Sequence, residues 1–201
     1  MSAAQVSDFF AVLALGSLAI GGLSLAGAFA PMAPSRALQL RPVLLPLALT
    51  IAAVATAGSL YYSEVAGYPP CEMCWYQRIA MYPLVGVLAV AVARRDRRGG
   101  WYALPPAVVG LGLSVYHYQL QLRPGQGSTC DASAPCTYRW VDSLGFMSIP
   151  FMAGCGFIGV AGLAVLSLRS GRHRSAGDGS EPIGGRSMSE QPEAEREGVT
   201  S

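Results

Sequence analysis

The chain has 201 residues, of which 13% are charged, against roughly 25% in soluble domains. With 52% apolar residues, 24 glycines and a mean hydropathy of +0.38, much of it does not face water, and a membrane protein is the leading class. All fourteen basic residues are arginine, and the net charge of +2 is too small for a nucleic-acid footprint.

A helix needs about 18 or more uncharged apolar residues to cross roughly 30 Å of hydrocarbon. Five stretches qualify: Phe9 to Ala30, Val43 to Tyr62, Trp75 to Ala93, Tyr102 to Leu122 and Met147 to Leu168. The third carries Gln77 and Arg78 in its first turn, and the fourth ends in the polar string His117, Gln119, Gln121. The expected fold is an all-α membrane protein. Its three regions are 1–42, an extra N-terminal span with its loop, 43–168, a four-span unit, and 169–201, a polar tail expected to be disordered and cytoplasmic.

Arginine collects on the cytoplasmic side. Arg36 and Arg41, the run Arg94-Arg95-Asp96-Arg97-Arg98, and Arg169, Arg172 and Arg174 mark three inside segments. Ser63 to Cys74 and Arg123 to Phe146 are then outside, as is the N-terminus, while the C-terminus is inside. Ala28-Phe29-Ala30 has the form of a signal-peptidase site. The first eight residues carry no positive charge, however, and cleavage would put Arg36 and Arg41 outside, so this is read as a retained span.

Four of the five cysteines fall in the outside segments, where disulfides persist. Cys71-Glu72-Met73-Cys74 follows Pro69-Pro70 and runs into the third span, so Cys74 lies near a helix N-terminus, which favours a thiolate. Arg78 is one turn deeper on the same face, and a cation inside a span is a functional signal. His117 lies at a matched depth, so the two side chains together suit a polar headgroup or a carbonyl. Snorkelling of Arg78 and an interfacial His117 are the bland alternatives. Zinc binding is disfavoured because Cys130 and Cys136 are spaced more widely than zinc ligand pairs usually are. Structural disulfides are the strongest bland alternative, although a bridge across so short a link is of the labile type. Cys155 reads as a small buried hydrophobe. Thr137 to Met147 is expected to form a short amphipathic surface helix, with Trp140, Leu144 and Met147 on one face.

The stretch from Pro70 to Ile79, with Met81-Tyr82-Pro83 after it, together with Tyr116-His117-Tyr118-Gln119, Cys130 and Pro135-Cys136, resembles the DsbB/BdbC family of membrane thiol–quinone oxidoreductases. The resemblance covers roughly residues 43 to 168. It implies a four-helix transmembrane bundle that reoxidises an extracytoplasmic thioredoxin-fold thiol oxidase (DsbA/BdbD-like) and passes electrons to a membrane quinone, ubiquinone or menaquinone. It implies that Cys130 and Cys136 form the disulfide the partner attacks, with Cys130 the site of attack. Cys136 then attacks Cys71, and Cys74 faces the quinone with Arg78 and His117 near the ring. A DsbA-type partner near about −120 mV needs an acceptor stronger than nicotinamide or glutathione. The sequence departs from the family's simplest form in its extra first span and in its closely spaced second pair, which bears on partner docking. A vitamin K epoxide reductase-like enzyme would carry its quinone-side C-x-x-C after the loop cysteines, the reverse of the order here. A scaffold or transporter with stapled loops is the reading from another class.

Overall fold

The computed structural model describes residues 3–29, 34–96, 98–126, 130 and 134–177. Its helices are α1 (Ala3–Phe29), α2 (Pro34–Leu60), α3 (Glu72–Ala93), α4 (Gly99–Leu122) and α5 (Ile149–Gly177). The outer surface is apolar: Leu23, Ile79 and Val109 are exposed, whereas Gln77, Arg78, Ser114 and His117 are buried. That inversion of a soluble protein's pattern is what a lipid solvent selects.

Helix α5 is the hub, packed by α1, α2 and α4, and α3 closes the bundle between α2 and α4. The centre is Leu84 and Leu88 of α3 against Phe157, Val160 and Leu163 of α5. Small residues set the spacing. The Phe157 ring lies directly on Gly110 of α4, and α1 meets α5 backbone to backbone where Gly21 faces Ile158, Gly159 and Gly162. With little hydrophobic drive between helices in lipid, such close van der Waals contact is what holds them together.

Among the described residues, four helices are long and apolar enough to cross a membrane: α1, α2, α3 and α5. The fifth expected span, α4, is long enough, but its polar residues lower its hydropathy. It turns Ser114 and His117 inward, where each is 2% exposed, while Gln119 near its outer end stays exposed. Gln77 of α3 donates to Ser114 Oγ at 2.9 Å, and Ser114 donates back to the Gly110 carbonyl, so this polar seam is hydrogen-bonded within the protein.

Two local expectations are corrected. The amphipathic helix over Thr137 to Met147 does not form. Ser143 and Met147 pair as an antiparallel bridge around a tight turn in which Leu144 (φ +56°) and Gly145 (φ +78°) are left-handed, and a right-handed helix cannot run through them. Leu144 is exposed while Met147 is fully buried, so the two do not share a face. Residue 169 does not end the order either. Helix α5 continues through Gly177, tied down by Arg169, which donates to the Ala28 carbonyl at 2.9 Å and sits 4.2 Å from the Phe29 ring centroid. The rest of the expected tail, from residue 178, lies outside the described residues.

Candidate functional site

Cys71, Cys74, Cys130 and Cys136 gather at the end of the bundle where α1, α3 and α5 begin and α2 and α4 finish. There α2 runs into a π-helical turn, Tyr61–Val65, closed by the Ala66 N–H on the Tyr61 carbonyl. Gly67, at φ +71°, reverses the chain, and Pro69 and Pro70 keep it extended into Cys71. Cys71 is the N-cap of α3, and its sulfur accepts the Cys74 backbone N–H at 3.3 Å. Sequence spacing pointed to Cys74 as the sulfur favoured by the helix terminus, but the capping bond goes to Cys71, because an N-cap side chain reaches the free N–H three residues on.

The Cys71 and Cys74 sulfurs are 2.8 Å apart as free thiols, whereas Cys130 and Cys136 are disulfide-bonded with Cα atoms 6.0 Å apart. Cys71, Cys136 and Leu120 form one buried cluster against which Cys130, Cys74 and Met73 pack. Cys136 is 1% exposed and Cys130 is half-buried, so within the disulfide Cys130 is the more accessible sulfur.

His117 stands between the two pairs. Its Nε2 lies 3.2 Å from the Cys136 carbonyl and 3.6 Å from Cys71 Sγ. A carbonyl only accepts, so that contact assigns the proton to Nε2, which also faces the Cys71 sulfur. The Cys71 thiol is pulled down to about 5, chiefly by the Cys74 thiol and also by His117, against burial, which pushes it up. At pH 7 the Cys71 sulfur of the reduced protein is therefore expected to be ionised. Its thiolate ultraviolet absorbance should fall as pH is lowered through about 5, well below the ~8.5 of a free cysteine. His117→Ala should move that midpoint up; a midpoint unmoved by the substitution would rule out the contact as a cause.

Arg78 is 9% exposed. It donates from Nε to Ser59 Oγ and from Nη2 to the Ser59 carbonyl, both at 3.0 Å, and its guanidinium lies 5.1 Å from the Trp75 ring centroid. Tyr82 donates to the same Ser59 hydroxyl at 3.3 Å. Ser59 was not singled out in the sequence: nineteen residues separate it from Arg78, and no local spacing connects them. Snorkelling does not describe this arginine, whose charge is held inside by α2.

Cys74 and Arg78 both line a largely apolar cavity of about 130 Å³ bounded by α1, α2, α3 and α5, with Gln77 and Tyr82 beside them. His117 does not line it. Instead, with Cys71 and Cys74, it borders a small crevice of about 20 Å³ toward Pro135 and Tyr138. The six predicted residues therefore divide. Cys71, His117, Cys130 and Cys136 form one cluster, Arg78 belongs to the cavity, and Cys74 touches both. The donor atoms of Cys71, Cys74 and His117 lie within 4.8 Å of one another, a set that could also bind a soft metal ion.

The family model described as "Disulfide bond formation protein DsbB" matches residues 41–168. The chain is similar to the "Probable disulfide formation protein C" of Bacillus cereus, 46% identical over 111 residues that make up 54% of this chain and 79% of that protein. It is similar to a "Probable disulfide formation protein" of Oceanobacillus iheyensis, 46% identical over 119 residues, 58% of this chain and 82% of the relative. To the "Disulfide bond formation protein C" of Bacillus subtilis it is 42% identical over 120 residues, 59% and 87% of the two chains. No solved structure matches.

Proposed function

Because this chain belongs to the DsbB family of disulfide bond formation proteins and is a multi-pass membrane protein-disulfide oxidoreductase, we propose that it reoxidises a soluble thioredoxin-fold thiol oxidase and hands the electrons to a membrane quinone. One observation carries this reading: the two sulfurs of the C-x-x-C serve different neighbours. Cys71 packs against Cys136, and Cys74 opens on the cavity beside Arg78.

The donor's thiolate attacks Cys130, the accessible sulfur, and breaks the Cys130–Cys136 bond, which releases Cys136 as a thiolate. Cys136 attacks Cys71 of an oxidised first pair, and the Cys71–Cys74 bond breaks with Cys74 as leaving group. The donor's second thiolate displaces Cys130 from the mixed disulfide, so the donor departs oxidised. Cys130 then displaces Cys71 from Cys136. This restores the second disulfide and leaves the first pair reduced. His117 keeps an N–H on the Cys71 sulfur and steadies its negative charge as Cys71 is displaced.

The cavity suits a quinone by the chemistry of its lining: one thiol, one guanidinium with Nη1 free of hydrogen-bond partners among the described residues, and otherwise mostly apolar walls. A bound quinone supplies an acceptor for two electrons and two protons, and Cys71 and Cys74 close to a disulfide as they give them up. Arg78 would hold a quinone oxygen, and the arginine-rich end of the bundle, with Arg94, Arg95, Arg98 and Arg169, would face the cytoplasm, leaving the cysteines outside.

The test is full turnover by the purified protein in lipid nanodiscs with a reduced thioredoxin-fold donor. One quinone should be consumed per donor disulfide formed, and without quinone thiol exchange should stop after the protein's own disulfides are spent. Donor oxidation that proceeds at the same rate with no quinone present sinks the proposal.

A further inference from the structure

We propose that α1, which lies outside the residues shared with the family, is a working wall of the acceptor cavity and helps to select what enters it. The inference rests on the quinone reading above and concerns residues that the family match, 41–168, does not contain.

Three independent features place α1 in the site. Phe10, Leu13, Ala14 and Ser17 line the same cavity as Cys74 and Arg78. These positions, three or four apart, form one stripe of α1, while Val12 and Leu23 point outward, 65% and 74% exposed. The Phe10 ring also covers Gly58, where even a methyl group would come within about 3.0 Å of it. Gly58 precedes Ser59, the residue that holds the Arg78 guanidinium, so α1 presses on the segment that orients the cation.

Phe10 further begins an aromatic run: its centroid is 5.9 Å from Tyr62, Tyr62 is 6.0 Å from Tyr68, and Tyr68 is 5.4 Å from Trp140, the last two pairs stacked. All four rings line the cavity, and Trp140 sits on the loop that carries Cys136. Without α1, the space between α2 and α5 would be a groove open to lipid tails. With it, the space is a partly open, aromatic-edged cavity whose lining chemistry suits a ring with two carbonyl oxygens and an apolar chain. The close backbone contact of Gly21 with Gly159 and Gly162 seats that wall against α5.

The test uses the full chain in nanodiscs and an azido-quinone photoprobe. Trypsin cleaves after arginine, and the first arginine is Arg36, so α1 is released on the peptide ending there. Label on that peptide, lost when unmodified quinone competes, is expected. In parallel, Leu13→Trp should raise the quinone KM roughly tenfold by filling the cavity, whereas Val12→Trp on the lipid face should leave it unchanged. Thiol exchange with the donor in the absence of quinone reports whether each variant is folded. If the wild type reduces quinone but competed label falls only on α2, α3 and α5, the role of α1 is overturned and the quinone reading stands. If the wild type neither reduces quinone nor takes competed label anywhere, both fall together.

Discussion

Cys74→Ser is expected to abolish acceptor reduction, lowering turnover by at least about a thousandfold, roughly 4 kcal/mol of lost transition-state stabilisation. Among the described residues, Cys74 is the one cysteine that touches both the cluster of Cys71 and Cys136 and the cavity. A serine hydroxyl neither leaves as a thiolate nor closes a disulfide with Cys71, so two-electron chemistry at the first pair stops. The Cys130–Cys136 disulfide is intact in the variant and should still exchange one equivalent with a reduced donor, readable as an alkylation mass shift. That residual step separates a broken relay from a misfolded protein. Cys155→Ser is the matched control. Cys155 packs with Ala11, Ala14 and Met147 in a separate small cluster, and its loss should leave turnover unchanged. Turnover by the Cys74 variant above about a tenth of the parent would refute the assignment.

The second large effect concerns the fold. Gly162→Val should destabilise the protein by at least the 1–3 kcal/mol typical of overpacking, because the new Cβ meets the Gly21 carbonyl, which is backbone and has no rotamer through which to escape. Helix α1 must move as a body. The cavity beside Cys74 and Arg78 should then lose its α1 wall while the cluster of Cys71, His117 and Cys136, built from α3, α4 and the following loop, persists. Gly22→Ala, one residue from Gly21 but with open space at its Cβ, should be neutral or stabilising by up to about 1 kcal/mol, since alanine is the better helix former. Thermal unfolding in a fixed detergent decides between them. Equal melting temperatures for the Gly162 variant and the parent would mean that α1 does not dock as described.

The parts of the site that were legible in the sequence are those governed by near neighbours. Pro69-Pro70 before a C-x-x-C and an arginine one turn on were enough to put Cys71, Cys74 and Arg78 at a helix start, because capping and helical facing depend on separations of three or four residues. Cys155 was likewise legible as a buried small residue. What failed also failed locally. The apolar spacing of Trp140, Leu144 and Met147 suggested a helix, but the left-handed conformations of Leu144 and Gly145 turned the chain back on itself. His117 shows the other limit. Depth along α4 matched Arg78 and paired the two at one site, but the rotation of α4 faces the imidazole toward Cys71 and the Cys136 carbonyl, away from the cavity.

The sequence by itself determined the membrane class, the helices, the order of the two cysteine pairs and the arginine pattern from which sides are expected. Each of these is summed over a contiguous window, where transfer of apolar groups into lipid and the cost of burying charge dominate. Only the tertiary structure decided which sulfur faces which neighbour, that Ser59 holds the guanidinium, and that α1 borders the cavity. Those depend on how α5 is approached by α1, α2 and α4, and the approach is set by side-chain volume at a few contacts, Gly21 on Gly162 and Phe157 on Gly110 among them. Hydropathy is blind to such contacts, since a glycine that admits a neighbouring helix and one that faces open space contribute to it identically.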